Sequence, residues 1–394
     1  SLKASYSLTA DRGPASNSLA VFTSFTPWRP STSANESAII LAALENSELT
    51  YEKKHELNIG VALGFVDNRV NVEFDWYRRN NFDLIGYTQT MGVGGVTTKL
   101  ANDATMESTG CEFTISTTNI KTKDFKWTTD WIFGWAENTI TKLDSRSQVY
   151  SLVNGVGRTE GRPIGALYSI PFAGLTEEGL PTFYIDAEHT QVVGPGNYAD
   201  IYFQEYENID YLKYEGTIDP KITGSFGNTF SWKGLKLNVF FTYSFGNVLR
   251  LDNLCPVYSS DYSDLTASMK EMKNRWMVPG DENITTIPSI PTVRQMREID
   301  ALNNAYSAYN YSTERVAKGD FIRLKELSLA YDLPKKYFEG QKAVSSFGVK
   351  LSATNLWLAY ADKKLNGRDP EYYNTGGVSS PVPRQFTLTV KLGF

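Results

Sequence analysis

The chain has 394 residues, enough for one large domain or two ordinary ones, with a formal charge of -5 and a pI near 5.4. Hydrophobic residues make up 41%, mean hydropathy is -0.33, and no run of about 18 apolar residues exists, so no transmembrane helix is read. The lack of a basic patch interleaved with aromatics argues against nucleic acid, and Cys111, Cys255, His55 and His189 stand without ligand spacing, which argues against a metal site.

The chain opens on "SLKASYSLTA", which begins inside a strand pattern and carries no basic n-region or apolar h-region of a signal peptide. Period-two alternation then recurs. "ELNIGVALGF" sets Leu57, Ile59, Val61, Leu63 and Phe65 against Glu56, Asn58 and small residues. "RVNVEFDWY" sets Val70, Val72, Phe74 and Trp76 against Arg69, Asn71, Glu73 and Asp75. "FKWTTDWIFGW" and "LKLNVFFTYSF" repeat the pattern with Trp127, Trp131, Phe133 and Trp135, and with Leu235 to Phe245. About ten such segments lie near 2–10, 51–65, 69–87, 105–119, 125–140, 217–232, 235–248, 317–332, 346–357 and 384–394. In "FIRLKELSLAY", Ile322 and Leu324 are out of phase with Leu327, Leu329 and Tyr331, which calls for a bulge.

These strands are longer than the five or so residues usual in soluble sheets and match the length needed to cross a hydrocarbon layer at a tilt. Tight links "VDN", "KTKD" and "KG", with a longer one near 333–345, alternate with long connections near 11–50, 88–104, 141–216, 249–316 and 358–383. In an up-and-down barrel this places every tight turn at one rim and every long loop at the other. The final "RQFTLTVKLGF" puts Phe386, Leu388, Val390, Leu392 and Phe394 on one face, and it resembles the C-terminal β-signal read by the outer-membrane assembly machinery. The fold class expected is all-β, a transmembrane antiparallel up-and-down β-barrel.

Several stretches resemble the SusC/RagA family of TonB-linked outer-membrane transporters of Bacteroidetes. They run in order: "YEKKHELNIGVALGFVDNRVNVEFDWYRRNNFDLI", "MESTGCEFTI", "GTIDPKITGSFGNTFSWKGLKLNVFFTYSFGN", "RWMVPGDE", "GDFIRLKELSLAYDLP", "NLW…GRDPE" and "PRQFTLTVKLGF". The resemblance implies that 1–394 is the C-terminal portion, about ten strands, of a presumed 22-strand barrel. On that reading the plug domain and the TonB box lie outside this chain. A self-contained ten-strand barrel is the alternative, and two unpaired edges in lipid count against it.

No nucleophile–His–acid order, HExxH, Walker motif or GxGxxG after a strand is found, so no catalytic residue, cofactor or enzyme activity is expected. The acidic pairs Glu177/Glu178 and Asp281/Glu282 read as loop charges. Aromatics crowd the two longest loops. Tyr198, Tyr202, Tyr206, Tyr258, Tyr262 and Trp276 are candidate contacts to ligand or lid, with packing of the loops on one another as the plainer reading. Trp76, Trp127, Trp131 and Trp135 are candidates for a membrane-interface girdle. The resemblance implies outer-membrane import of an oligosaccharide or oligopeptide, with outer-membrane lipid, a SusD-like surface lipoprotein and TonB as partners. A non-transporting scaffold subunit of an outer-membrane assembly, and a soluble all-β binding protein, are the rival readings.

Overall fold

The computed structural model describes residues 1–394 except 14–18, 27–37, 93–94, 255–269, 335–336, 338–343 and 374–380. Ten strands form one antiparallel sheet in strict chain order: β1 (Leu2–Asp11), β2 (Glu52–Phe65), β3 (Val70–Gln89), β4 (Thr98–Lys121), β5 (Phe125–Leu143), β6 (Ile222–Trp232), β7 (Leu235–Phe245), β8 (Phe321–Asp332), β9 (Ser346–Ala361) and β10 (Gln385–Gly393). Each pairs with its sequence neighbours, and β1 and β10 are the two edges. This is an up-and-down meander, a stretch of barrel wall. Among the described residues no helix is long and apolar enough to cross a membrane.

Register converts the alternation into two continuous faces. Val61, Phe74, Phe113 and Phe133 lie side by side across β2 to β5. Leu237, Leu329, Leu351 and Leu388 do the same across β7 to β10. The opposite face carries Gly60, Asp75, Glu112, Gly134, Thr223 and Ser244 in one row, and Asn238, Ser328, Ser352 and Thr387 in another. The apolar face stays bare: Leu351 is 53% exposed and Phe386 69%. A protein leaves so many large apolar side chains uncovered only where lipid is the solvent. Phe386, Leu388, Val390 and Leu392 all lie on that face, and Phe394 follows as the last residue.

The phase break in β8 is a bulge. Phe240 faces Glu326 and Phe241 faces Leu324, so Lys325 is the extra residue. It returns Ile322 and Leu324 to the apolar face that holds Leu327, Leu329 and Tyr331. Tyrosines pack over two glycines of neighbouring strands. A Cβ at Gly224 would meet the Tyr243 hydroxyl at 2.4 Å and the Ile132 carbonyl at 2.2 Å. That hydroxyl donates to the Ile132 carbonyl and accepts from Trp131 Nε1, each at 2.9 Å. Gly110 lies in the same way under Tyr77 on the other face.

The turns differ sharply in size. Lys233 and Gly234, both at positive φ, close β6–β7 as a tight hairpin, and Val66, Asp67 and Asn68, also at positive φ, close β2–β3. β3 and β4 extend further than their alternation does, to Gln89 and from Thr98, which shortens the connection expected at 88–104 to 90–97. Beyond the hydrocarbon both faces of a hairpin are wet, so nothing there enforces an apolar face. Breaks at 218–221, at Gly246 and at Gly319–Asp320 trim the strands expected at 217–232, 235–248 and 317–332. Short strands flanking these breaks, at 213–217, 248–250 and 316–318, pair with a loop segment or with one another instead.

Candidate functional site

The two longest connections, between β5 and β6 and between β7 and β8, collapse onto one another. Their shared core holds Val149, Leu152 and Val153 of α1 (Val149–Val153), then Ile170, Leu180, Phe183, Tyr198 and Ile201. From the second connection come Ala305, Tyr306, Ala308 and Tyr309 of α3 (Leu302–Asn310), which follows α2 (Val293–Glu298). Fully buried aliphatic and aromatic side chains of this kind contribute about 1.5–3 kcal/mol each, so the loops form a folded body above the rim.

Buried cations tie the loop segments to one another and join one further loop to the sheet. The Arg250 guanidinium donates to the Val153 carbonyl at 3.2 Å, the Ser312 carbonyl at 2.9 Å and Ser169 Oγ at 3.1 Å, and also to the Tyr168 carbonyl. Burial pushes its pKa down to about 10, so it stays charged at neutral pH. Arg315 pairs with Glu271 at 2.5 Å and donates to the Asp252 carbonyl. Arg323 of β8 reaches the next loop, pairing with Asp369 and, at 3.2 Å, with Glu371. Arg323 lies in "FIRLKE" and its two partners in "GRDPE", so two stretches separated along the chain complete one cluster of two ion pairs. Spacing alone gives no sign of this.

Trp276 belongs to the loop body. Its ring packs on Gly179, where a Cβ would come within 2.4 Å of it. Its indole N–H donates to Glu282 at 3.0 Å. Asp281 accepts the Met277 and Val278 N–H groups at 3.0 and 3.1 Å. The pair Asp281/Glu282 therefore closes this turn. Glu282 is held below the usual carboxylate range by its own backbone N–H and by the Trp276 indole.

Tyr198 is withdrawn as a ligand contact. It is wholly buried, and its hydroxyl donates to the Pro181 carbonyl at 2.8 Å. Tyr202 is 57% exposed. Tyr258 and Tyr262 lie outside the described residues, as does Cys255. Tyr206 accepts from the Gln89 amide at 2.5 Å and from the Gln148 amide. It lines two adjoining cavities of about 450 and 470 Å3 that share Ser145, Arg146, Tyr206 and Glu207 and so make one groove. Sequence reasoning singled out Tyr206 but missed Gln89, Arg146 and Gln148, whose side chains follow no pattern that marks them.

On β5, Trp127, Trp131 and Trp135 stand four residues apart, about 13 Å each. Trp76 and Trp135 share one row through Cys111. A membrane-interface girdle of these residues stays a proposal; along β5, Trp135 lies towards the loop end and Trp127 towards the tight turn. Trp131 sits midway between them along the strand.

Among curated proteins, the chain is 27% identical over 385 residues to TonB-dependent receptor P3 of Formosa agariphila, covering 90% of this chain and 35% of that protein. It is 33% identical over 99 residues to TonB-dependent receptor SusC of Bacteroides thetaiotaomicron, covering 25% of this chain and 10% of SusC. The whole chain superposes on the RagAB peptide transporter with a TM-score of 0.73 at 23% identity, covering 40% of that chain. The chain is similar along most of its length to TonB-dependent receptors of the SusC/RagA type. It is a stretch of their outer-membrane barrel, and it spans about a third of the length of the curated relatives it matches. No family model matches it. Its SusC/RagA-type relatives carry the names of receptors and importers, not of enzymes.

Proposed function

We propose that the protein containing this barrel stretch imports an oligosaccharide or oligopeptide across the outer membrane. Import is coupled to TonB through a plug supplied by the remainder of the protein, and a SusD-like surface lipoprotein lies over the loops as a lid. The observation that carries this reading is the folded loop body above a lipid-facing sheet. A wall that served only as a passive pore needs no such body, whereas a receptor needs a fixed surface on which to hold its cargo. Buried arginines within it support the same reading, because they hold its segments in one fixed arrangement.

The test is genetic. Deleting the gene should abolish uptake of either a labelled glycan or a labelled peptide, and affinity purification of the full-length protein should bring down a surface lipoprotein. Unchanged uptake of both classes would overturn import and leave the scaffold role.

A further inference from the structure

The groove beside Tyr206 has a chemistry of its own. We infer that it is a subsite for an extended oligopeptide bearing basic side chains, held by Tyr206 and Arg146 at main-chain carbonyls and by Glu207 and Asp210 at the cations. The inference rests on the import reading and narrows it.

Three observations support it. The Tyr206 oxygen already accepts from two amides, and its own hydrogen has no acceptor among the described residues. A phenol with both lone pairs occupied can only donate further, so it is a donor waiting for a carbonyl or carboxylate oxygen. Arg146 is exposed on the shared wall of the two cavities and makes no ion pair or hydrogen bond among the described residues, so it offers a second donor alongside. Glu207 and Asp210 are exposed in the lining, and no cation pairs with either among the described residues. Glu205, by contrast, is already used: it accepts the Tyr206 and Glu207 N–H groups, each at 2.8 Å, and so shapes the turn.

The lining also excludes the obvious competitor. Sugar rings are held by flat aromatic faces, and Tyr206 is the one aromatic residue lining either cavity. Its hydroxyl is held between two glutamine amides. Charges of both signs around a wet groove match the alternating carbonyls and charged side chains of a peptide, not a neutral glycan. Two adjoining cavities of about 450 and 470 Å3 accommodate a few residues of extended chain.

The test uses the full-length receptor purified in detergent, titrated calorimetrically with three probes. These are a lysine–alanine octapeptide, the matching glutamate–alanine octapeptide, and maltoheptaose. The lysine peptide should bind best. Arg146→Gln should weaken it about tenfold and Tyr206→Phe about fivefold, as expected for loss of one charged and one neutral hydrogen bond. The double variant Glu207→Gln/Asp210→Asn should erase the preference for the lysine peptide over the glutamate peptide. An unchanged melting profile of each variant excludes misfolding as the cause. If a variant does melt differently, competition with free lysine amide against the wild-type protein replaces it, and failure of the amide to displace the peptide counts against the proposal. Maltoheptaose binding that is lost in Y206F, or peptide binding indifferent to all three variants, overturns the subsite. In either case, uptake lost on gene deletion would still leave import standing.

Discussion

Single residues fix the loop body in ways that can be measured. Arg250 bonds four groups drawn from both long connections, so its loss uncouples them. Arg250→Met should lower the stability of the loop body by about 2–3 kcal/mol, since it leaves several buried carbonyls without a donor. Tryptophan fluorescence during thermal unfolding would show this, because Trp276 sits within that body. Tyrosines give a pH signature. Burial, and secondarily the nearby Glu205 charge, push Tyr211 up to about 12, and burial raises Tyr198 as well. A phenol whose folded pKa lies above its unfolded value of about 10 favours folding while neutral. That contribution is complete below pH 10 and is lost as the pH rises from there towards 12. The phenolate absorbance of these two residues should therefore appear only together with loss of loop structure. Early titration of all tyrosines at constant fold would contradict the packing described. The roles of Trp276 and Arg323 were only half legible in the sequence. Both fall in stretches that stand out, "RWMVPGDE" and "FIRLKE", but their partners Gly179, Asp369 and Glu371 are far away along the chain, and no local rule connects them.

At the level of strands and turns, the sequence is most legible where the surroundings are most demanding. Between lipid and water every second residue is constrained, so β1, β2, β5, β7 and β10 follow from alternation almost to their ends. Where β3 and β4 rise into water, that constraint is lifted and the pattern fades although the hairpin continues. The bulge at Lys325 is the informative case: its phase error is visible in the sequence, and the register shows what it accomplishes. Deleting Lys325 should move Phe321, Ile322 and Leu324 to the wrong faces and direct Arg323 towards lipid, away from Asp369. The full-length protein should then fail to reach the heat-modifiable folded form on gels. Phe394 tests the other end of the chain. Its removal, or replacement by a polar residue, should lower the amount of full-length barrel in the outer membrane. Normal levels would show that the terminal apolar face is not read during assembly.

At the scale of the whole molecule, two edges and one loop body dominate. The free edges of β1 and β10 carry backbone groups with no partner in the sheet, and each such group in hydrocarbon costs several kcal/mol. Expressed alone with lipid vesicles, residues 1–394 should associate or stay outside the bilayer. A heat-modifiable monomer would mean that these edges close on each other. The loop body was less readable than the sheet. Its core joins segments such as Leu152 and Tyr309 that lie more than a hundred positions apart, without periodicity, and aromatic richness signalled contact without saying with what.

The buried side chains of that body all come from outside the ten strands. A cap that owns its core can be exchanged as a cassette. Grafting the two connections of one receptor onto the wall of another, with the equivalent of Arg250 carried along as the tie between them, should transfer cargo preference while leaving membrane insertion to the recipient.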